Sequence, residues 1–338
     1  MTTTPPILII HDTDADGKMA AILFYYLYKP EVPKEFRGMR ISEFKERNST
    51  DPYEGYSEIV ILDLAVSDDF LWEMLRLGGP LTLIDHHPRF EGDSSLAPTS
   101  GRLTVKHNTN KSTTLLAWEY LMPLDTLGDL PLDVMETWTI VNAVDDCDLW
   151  EGVTLEKLAI SQAVEAFDLT KLTPNFGIWS LIWGQVAYSG VTPGNPEHAA
   201  LTRIAQRVKT DPAPSDPLLS VGSPTVAIYC SGASKVEQNW LAHCHLQEYP
   251  ETSVVAICEK IFPNGLGKWS FRSRKGGEFQ AGQFVGTLCE FDESWSGGGH
   301  AHAAGAILAL DWPLILQNEA THICPAGIID WGPEFIPF

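Results

Sequence analysis

Leu81-Thr82-Leu83-Ile84-Asp85-His86-His87-Pro88 is a short apolar run that ends abruptly in one carboxylate and two imidazoles. A run of this length bounded by polar residues reads as a buried strand, and Pro88 prevents its simple continuation. Asp-His-His then stands at the lip of a sheet, with three groups able to bind a metal or carry a proton. Paired histidines on a loop are commonly without chemistry. This stretch gains meaning only from what the rest of the chain brings to it.

The same design occurs twice upstream. Ile7-Leu8-Ile9-Ile10 is continuously apolar, as a parallel strand covered on both faces should be, and runs into His11-Asp12-Thr13-Asp14-Ala15-Asp16-Gly17. Glu58 to Leu62 gives another strand, Glu-Ile-Val-Ile-Leu, ending in Asp63. A helical pattern from Lys18 to about Lys29 follows the first strand and is closed by Pro30 and Pro33. Ser67 caps a helix after the second, with Asp68 and Asp69 in its first turn. Gly78-Gly79-Pro80 stops it before the strand quoted above. Strands alternating with helices predict an α/β fold on a doubly wound parallel sheet, where ligands bind outside the carboxyl ends of the strands. Three acidic strand ends are therefore expected to converge. Residues 34–57 carry no pattern from which an element can be placed.

Farther on, Lys111-Ser112-Thr113-Thr114 opens a helix over Leu115–Met122. Pro131 opens another, from about Leu132 to Val144, which runs into Asp145-Asp146-Cys147-Asp148-Leu149-Trp150. Thr154 caps a helix over Leu155–Phe167, and residues 196–208 read as one more amphipathic helix. The proline-rich stretch 209–224 reads as a linker. It divides the chain into a first domain, residues 1–208, a smaller α/β domain, residues 225–312, and a tail, residues 313–338. In the second domain residues 225–229, 254–257, 268–273 and 306–310 read as strands, and 234–247 and 279–290 as helices. Gly297-Gly298-Gly299-His300 stands just ahead of the last strand.

Hydrophobic residues make up 44% of the 338, enough for a sizeable core. No apolar run approaches a bilayer span and no charged-then-apolar leader opens the chain, so a soluble, cytoplasmic protein without a membrane partner is expected. Six cysteines are scattered without a CxxC pair, which argues against a zinc-thiolate site and a disulfide framework. The formal net charge of −21, with only 23 Lys and Arg, repels long nucleic acid. Any phosphate-bearing partner should therefore be small, and metal ions must offset the local charge.

Asp12, Asp14, Asp16, Asp63, Asp85, His86 and Asp146 make a hard, oxygen-rich donor set with one or two imidazoles. Such a set suits manganese or magnesium better than a thiolate-seeking metal. Carboxylates packed without cations repel one another or take up protons. Two divalent ions about 3.5–4 Å apart are the usual arrangement for phosphoester hydrolysis by hydroxide. Asp-x-Asp-x-Asp-Gly also matches the start of a calcium loop, but Lys18 and an apolar helix replace its later ligands. Asp145, Asp146 and Asp148 can equally form a solvated helix terminus, although acids there oppose the helix dipole.

In order and residue type, Asp12-Thr13-Asp14-Ala15-Asp16-Gly17, Asp63, Asp85-His86-His87 and Asp146 resemble the four motifs of the DHH phosphoesterase superfamily. Lys111–Pro123 and Asp-x-Asp-Leu-Trp are similar to a prokaryotic and phage branch of it. Gly297-Gly298-Gly299-His300, Ala303-Ala304-Gly305 and Ser270-Phe271-Arg272-Ser273 resemble its associated C-terminal domain, so the likeness covers about residues 7–310. The resemblance implies a manganese-dependent phosphoesterase with its active site in a cleft between two α/β domains. It implies Asp63 bridging two metals, with Asp12 and Asp16 on one side and His86 and Asp146 on the other. Asp14 would be a ligand or its neighbour, Asp85 would orient the histidines, and His87 would face the scissile phosphate as acid or charge stabiliser. Arg272, Ser273, Gly298, Gly299 and His300 would hold the substrate's terminal phosphate or nucleotide, work for which arginine and glycine amides are suited.

Lys18 stands where some branches carry a further aspartate, which opens the coordination of one metal to question. Asp146 is the favoured fourth-motif ligand by its spacing to Trp150, with Asp145 the alternative. His11 reads equally as a ligand or as a structural hydrogen-bonding group, and His302 as a surface residue. The expected substrates are oligonucleotides a few units long, 3′-phosphoadenosine 5′-phosphate or a small nucleotide signal, and a homodimer is compatible with the sequence. Two other readings compete: a nucleotide-binding sensor without turnover, if Lys18 disables one metal position, and a pyrophosphatase or polyphosphatase.

Overall fold

The computed structural model describes residues 5–40, 53–76, 79–87, 102–122, 134–149, 151–172, 196–210, 226–230, 235–274, 279–290, 292–299, 302–310 and 329–330, with 182, 186 and 312 singly. His300, the expected linker beyond Thr210 and the tail other than Ile329–Asp330 lie outside the described residues. The chain divides into two compact units, Met1–Thr192 and Pro193–Phe338. The division falls ahead of the helix Pro196–Thr210, which the sequence reading had placed at the end of the first domain.

In the first unit, strands β1 (Ile7–His11), β2 (Lys34–Gly38), β3 (Glu58–Leu62), β4 (Leu81–Asp85) and β5 (Leu103–His107) form one parallel sheet in the order β2-β1-β3-β4-β5. Helices α1 (Ala15–Leu27), α2 (Asp68–Arg76), α3 (Thr113–Leu121), α4 (Val134–Leu149) and α5 (Leu155–Ala166) accompany it. Two-sided burial explains the unbroken apolar runs. Along β1, Ile7 and Ile9 enter a core shared with α1, α3 and α4, while Leu8 and Ile10 enter a second core shared with α2. Val60 and Leu62 of β3 repeat the first assignment, Ile59 and Ile61 the second. Side chains that alternate between two dry faces must all be apolar.

The two edge strands escaped the sequence reading for the same reason. Lys34-Glu-Phe-Arg-Gly38 has no fully buried residue, and β5 buries only Leu103. A strand that is half solvated carries no apolar run.

The chain leaves β1 for β2 on one side and reaches β3 on the other, so the order of strands reverses between β1 and β3. In a doubly wound sheet such a reversal opens a crevice at the carboxyl ends of the two strands. Register adds a second constraint. His11 lies opposite Leu62, and Leu62 opposite Ile84. The next residues, Asp12, Asp63 and Asp85, therefore leave three adjacent strands at one level.

The second unit holds a six-stranded mixed sheet in the order β11-β6-β7-β8-β10-β9. Its strands are β6 (Val226–Cys230), β7 (Val254–Ile261), β8 (Leu266–Ser273), β9 (Ser296–Gly299), β10 (Ala303–Ala309) and β11 (Ile329–Asp330). Helices α6 (Pro196–Thr210), α7 (Lys235–Glu248) and α8 (Ala281–Cys289) belong to this unit. Gly297, Gly298 and Gly299 lie on an edge strand of this sheet. Among the described residues no helix is long and apolar enough to cross a membrane.

Candidate metal centre

Helix α1 begins immediately after β1, and its start is built from the first acidic motif. Asp14 is the N-cap, its Oδ1 accepting from the Gly17 amide at 3.0 Å. Gly17 packs so closely on the Asp12 backbone that a Cβ would lie 2.6 Å from the Asp12 carbonyl oxygen. Any side chain there would push α1 off the strand end. Asp16, in the first turn, is 1% exposed. Its Oδ2 accepts from the Thr113 amide at 2.8 Å and its Oδ1 from the Thr114 amide at 2.7 Å. These are the opening amides of α3, donors that have no partner within their own helix. The helix N-terminus also offsets the carboxylate's charge. The Thr114 hydroxyl donates to the Asp16 carbonyl at 2.9 Å, which fastens the two helices together.

Asp63 sits on the turn after β3 with φ 60°, in the left-handed region. A residue other than glycine pays about 1 kcal/mol or more to stay there, less for Asp and Asn. Its Oδ1 accepts from the Thr113 hydroxyl at 3.0 Å and lies 3.4 Å from His86 Nε2 and 3.7 Å from His87 Nδ1. His86 Nε2 is also 3.8 Å from Asp16 Oδ2 and 3.6 Å from Asp148 Oδ2. His87 Nδ1 is 2.7 Å from Asp85 Oδ1, which accepts the His87 amide as well at 3.3 Å.

Among the described residues two groups of potential metal donors result, Asp63–His86–His87 and Asp16–His86–Asp148, sharing His86. At the fourth motif the structure brings a different acid to the histidines from the Asp146 favoured by spacing. Asp148 joins the cluster, whereas Asp146 pairs with Lys157 of α5 and Asp145 accepts from the Ser112 amide at 2.8 Å. Asp12 and Asp14 border the cluster without entering either group. His11 Nδ1 lies 2.6 Å from the Asp12 carbonyl, and its ring meets Phe36 edge-on. Lys18 points away from the acids and donates to the carbonyls of Glu165 and Phe167 at the end of α5. Ser112, Thr113, Thr114 and Asp148 were not singled out from the sequence as site residues.

The electrostatics agree with a cation site. Burial, then repulsion from Asp16, Asp14, Asp148 and Asp85, holds the Asp63 carboxyl well above the usual range. Asp14 is exposed as a residue, yet its carboxyl is raised by desolvation and by Asp16 in the same way. Burial lowers His86 and favours its neutral form, the form that ligates a metal. Asp85 Oδ2, in a residue 1% exposed, has no hydrogen-bond partner among the described residues. Buried oxygens, neutral imidazole and surplus negative charge fit divalent ions of the manganese or magnesium type.

Ion binding should therefore be visible in stability. Asp12 is pushed up to about 6 by burial and by Asp14. A carboxyl raised in the folded state contributes stability that is complete below its ordinary pKa of 3.8 and is lost as pH rises through about 6. The ion-free site is thus a liability at neutral pH. Manganese at about 100 times its Kd should stabilise by about 2.7 kcal/mol, raising the melting temperature of the first unit by about 5–10 °C. The gain should shrink as pH falls through about 6, because ions must then displace protons. Melting curves with manganese and with chelator, at about pH 7.5 and about pH 5.5, check this; an equal gain at both counts against the site.

In the second unit, Arg272 of β8 places Nη1 2.8 Å from the Phe271 carbonyl and Nη2 2.7 Å from Asn239 Oδ1 of α7. Desolvation lowers its guanidinium to about 10. Arg272 pairs with Ala303, and Ala304 with Gly299, so Arg272 and Gly299 lie on neighbouring rungs across β10. Gly299 has φ 152°, and a Cβ there would come within 2.5 Å of the Ala303 carbonyl oxygen. Gly298 is exposed, while Ser273 is buried and its Oγ accepts from the Ala281 amide at 3.0 Å.

No family model matches the chain, and no curated protein does. Among solved structures the chain is similar to the exonuclease RecJ bound to manganese, with 15% identity, a TM-score of 0.48, and coverage of 93% of this chain and 88% of that one. A RecJ from Thermus thermophilus in complex with Mn2+ gives 14% identity and a TM-score of 0.46 over 96% of this chain and 53% of that one. PggH, a pGpG-specific phosphodiesterase from Vibrio cholerae, gives 12% and 0.47, over 93% and 97%.

Proposed function

We propose that this chain is a DHH-superfamily phosphoesterase that uses divalent ions, manganese first and magnesium second, to hydrolyse short nucleotide substrates. The observation that carries the reading is the convergence of Asp16, Asp63, His86 and His87, from the first three motifs read in the sequence, with Asp148 at the carboxyl ends of β1, β3 and β4. Asp12 and Asp14 line the same rim as further donors. Bound divalent ions would supply Lewis-acid stabilisation of phosphate charge and a hydroxide at neutral pH. Asp85 orients the His87 ring, and His87 gives a proton to the leaving oxygen. Arg272 and the glycine amides of β9 bind substrate phosphate, with Ser273 steadying the start of α8.

The net charge of −21 supports short substrates over long strands. A sensor without turnover is the alternative if Lys18, standing where some branches carry a further aspartate, disables one metal position; its side chain is engaged by the carbonyls closing α5, and manganese-stimulated turnover would exclude that reading. Purified chain with manganese should release mononucleotides from a dinucleotide faster than from a long single strand. A panel of dinucleotide, long strand, 3′-phosphoadenosine 5′-phosphate and pyrophosphate, with products weighed by mass spectrometry, decides it. Preference for the long strand would overturn the size argument, and phosphate release from pyrophosphate alone would favour the pyrophosphatase.

A further inference from the structure

Thr113 touches two acids, one in the first turn of α1 and one on the turn after β3. Its amide donates to Asp16 Oδ2 at 2.8 Å, and its hydroxyl donates to Asp63 Oδ1 at 3.0 Å. Thr113 is wholly buried, as are its neighbours Ser112 and Thr114. The two oxygens it holds both face His86 Nε2, at 3.8 Å and 3.4 Å. Both are therefore placed by one residue relative to the imidazole that the two donor groups share.

We infer that Thr113 is a positioning residue that sets the separation of Asp16 and Asp63 before any ion binds. The inference rests on the divalent-ion site proposed above and assigns a determinant of its affinity. Two like charges on separate elements, a helix and a strand end, repel, and their distance would drift without a donor common to both. The amide half of the bridge is fixed by the backbone of α3, whose cap is the Ser112 hydroxyl accepting from the Leu115 amide at 3.2 Å. The hydroxyl half depends on the side chain alone. It orients a carboxylate carried on left-handed backbone whose amide donates to the Ile84 carbonyl at 3.0 Å.

Thr113→Val keeps the shape and the amide but deletes the hydroxyl. Thr113→Ala deletes it with less bulk, and Thr113→Ser restores it. Calorimetric titration of the ion-free, full-length chain with manganese reads the effect without turnover. A hydrogen bond to a charged group is worth about tenfold or more in affinity. Thr113→Val and Thr113→Ala should therefore weaken manganese binding about tenfold, with Thr113→Ser within about twofold of the unaltered chain. Undiminished affinity in a folded Val or Ala variant overturns the inference, and so does a Ser variant as impaired as Val. If the unaltered chain binds no divalent ion, the phosphoesterase reading fails and takes this inference with it; if it binds and Val matches it, only this inference fails.

Discussion

Replacing Asp63 with asparagine is expected to lower turnover by about a thousandfold or more while the sheet stays folded. Asp63 Oδ1 receives a hydroxyl at 3.0 Å and faces both histidines, so its negative charge is the one most central to the cluster. Loss of that charge removes several kcal/mol of ion and transition-state stabilisation, and each 1.36 kcal/mol or so is a factor of ten in rate. Asparagine is the informative substitute because it accepts left-handed backbone and keeps an oxygen for the Thr113 hydroxyl. Alanine would add backbone strain and blur the result. The ion-free variant should melt no lower than the unaltered chain, since a repelled carboxylate is gone. Steady-state rates, bound-metal content and melting together test this. Full activity in Asp63→Asn would remove Asp63 from the centre of the site.

His87→Gln should reduce kcat by about a hundredfold to ten-thousandfold, the usual range for loss of a general acid. Burial, the largest influence, lowers the His87 ring, but the hydrogen bond with Asp85 and the charges of Asp85, Asp16 and Asp14 together outweigh it and hold the ring above its ordinary value. The same contact holds Asp85 down against the upward push of burial. A carboxylate of this kind keeps an imidazole protonated and correctly turned. His87 nevertheless lies in a donor group with Asp63 and His86, so metal content separates its two roles. An acid leaves the ions in place when replaced, and a ligand does not. Asp85→Asn supplies a second check through its direction. Without the carboxylate, His87 gives up its proton at lower pH, and the alkaline limb of the rate profile moves down. An unmoved limb would deny the pairing any part in proton transfer.

The central strands were legible because a strand dry on both faces must be apolar throughout, as β1, β3 and β4 are. Their acidic ends were legible for the complementary reason, since a carboxylate directly after such a run has to be at a sheet lip. Spacing to a tryptophan favours Asp146 as the fourth acid, whereas helical geometry brings Asp148 to the cluster. Asp145 and Asp148 are three apart and share a face of α4, whereas Asp146 turns about 100° away toward Lys157. With Asp145 against Ser112 at the start of α3, Asp148 follows it toward Asp16 and His86. Thr113 could be seen to open a helix but not to touch Asp16 and Asp63. Partners 97 and 50 positions away leave no local trace in the chain. Lys18 was equally opaque, because its partners are carbonyls, which every residue has.

The level register of β1, β3 and β4 also governs when the acids first meet. Asp16, Asp63, His86 and Asp148 come from segments distributed from the first helix to the fourth, and no short piece of chain brings them together. Contacts of such long sequence separation form late, after local helices and neighbouring strands have settled. The mutual repulsion of the cluster is accordingly postponed until the sheet beneath it is complete. A nascent chain assembles its apolar layers undisturbed and encounters its own charge last.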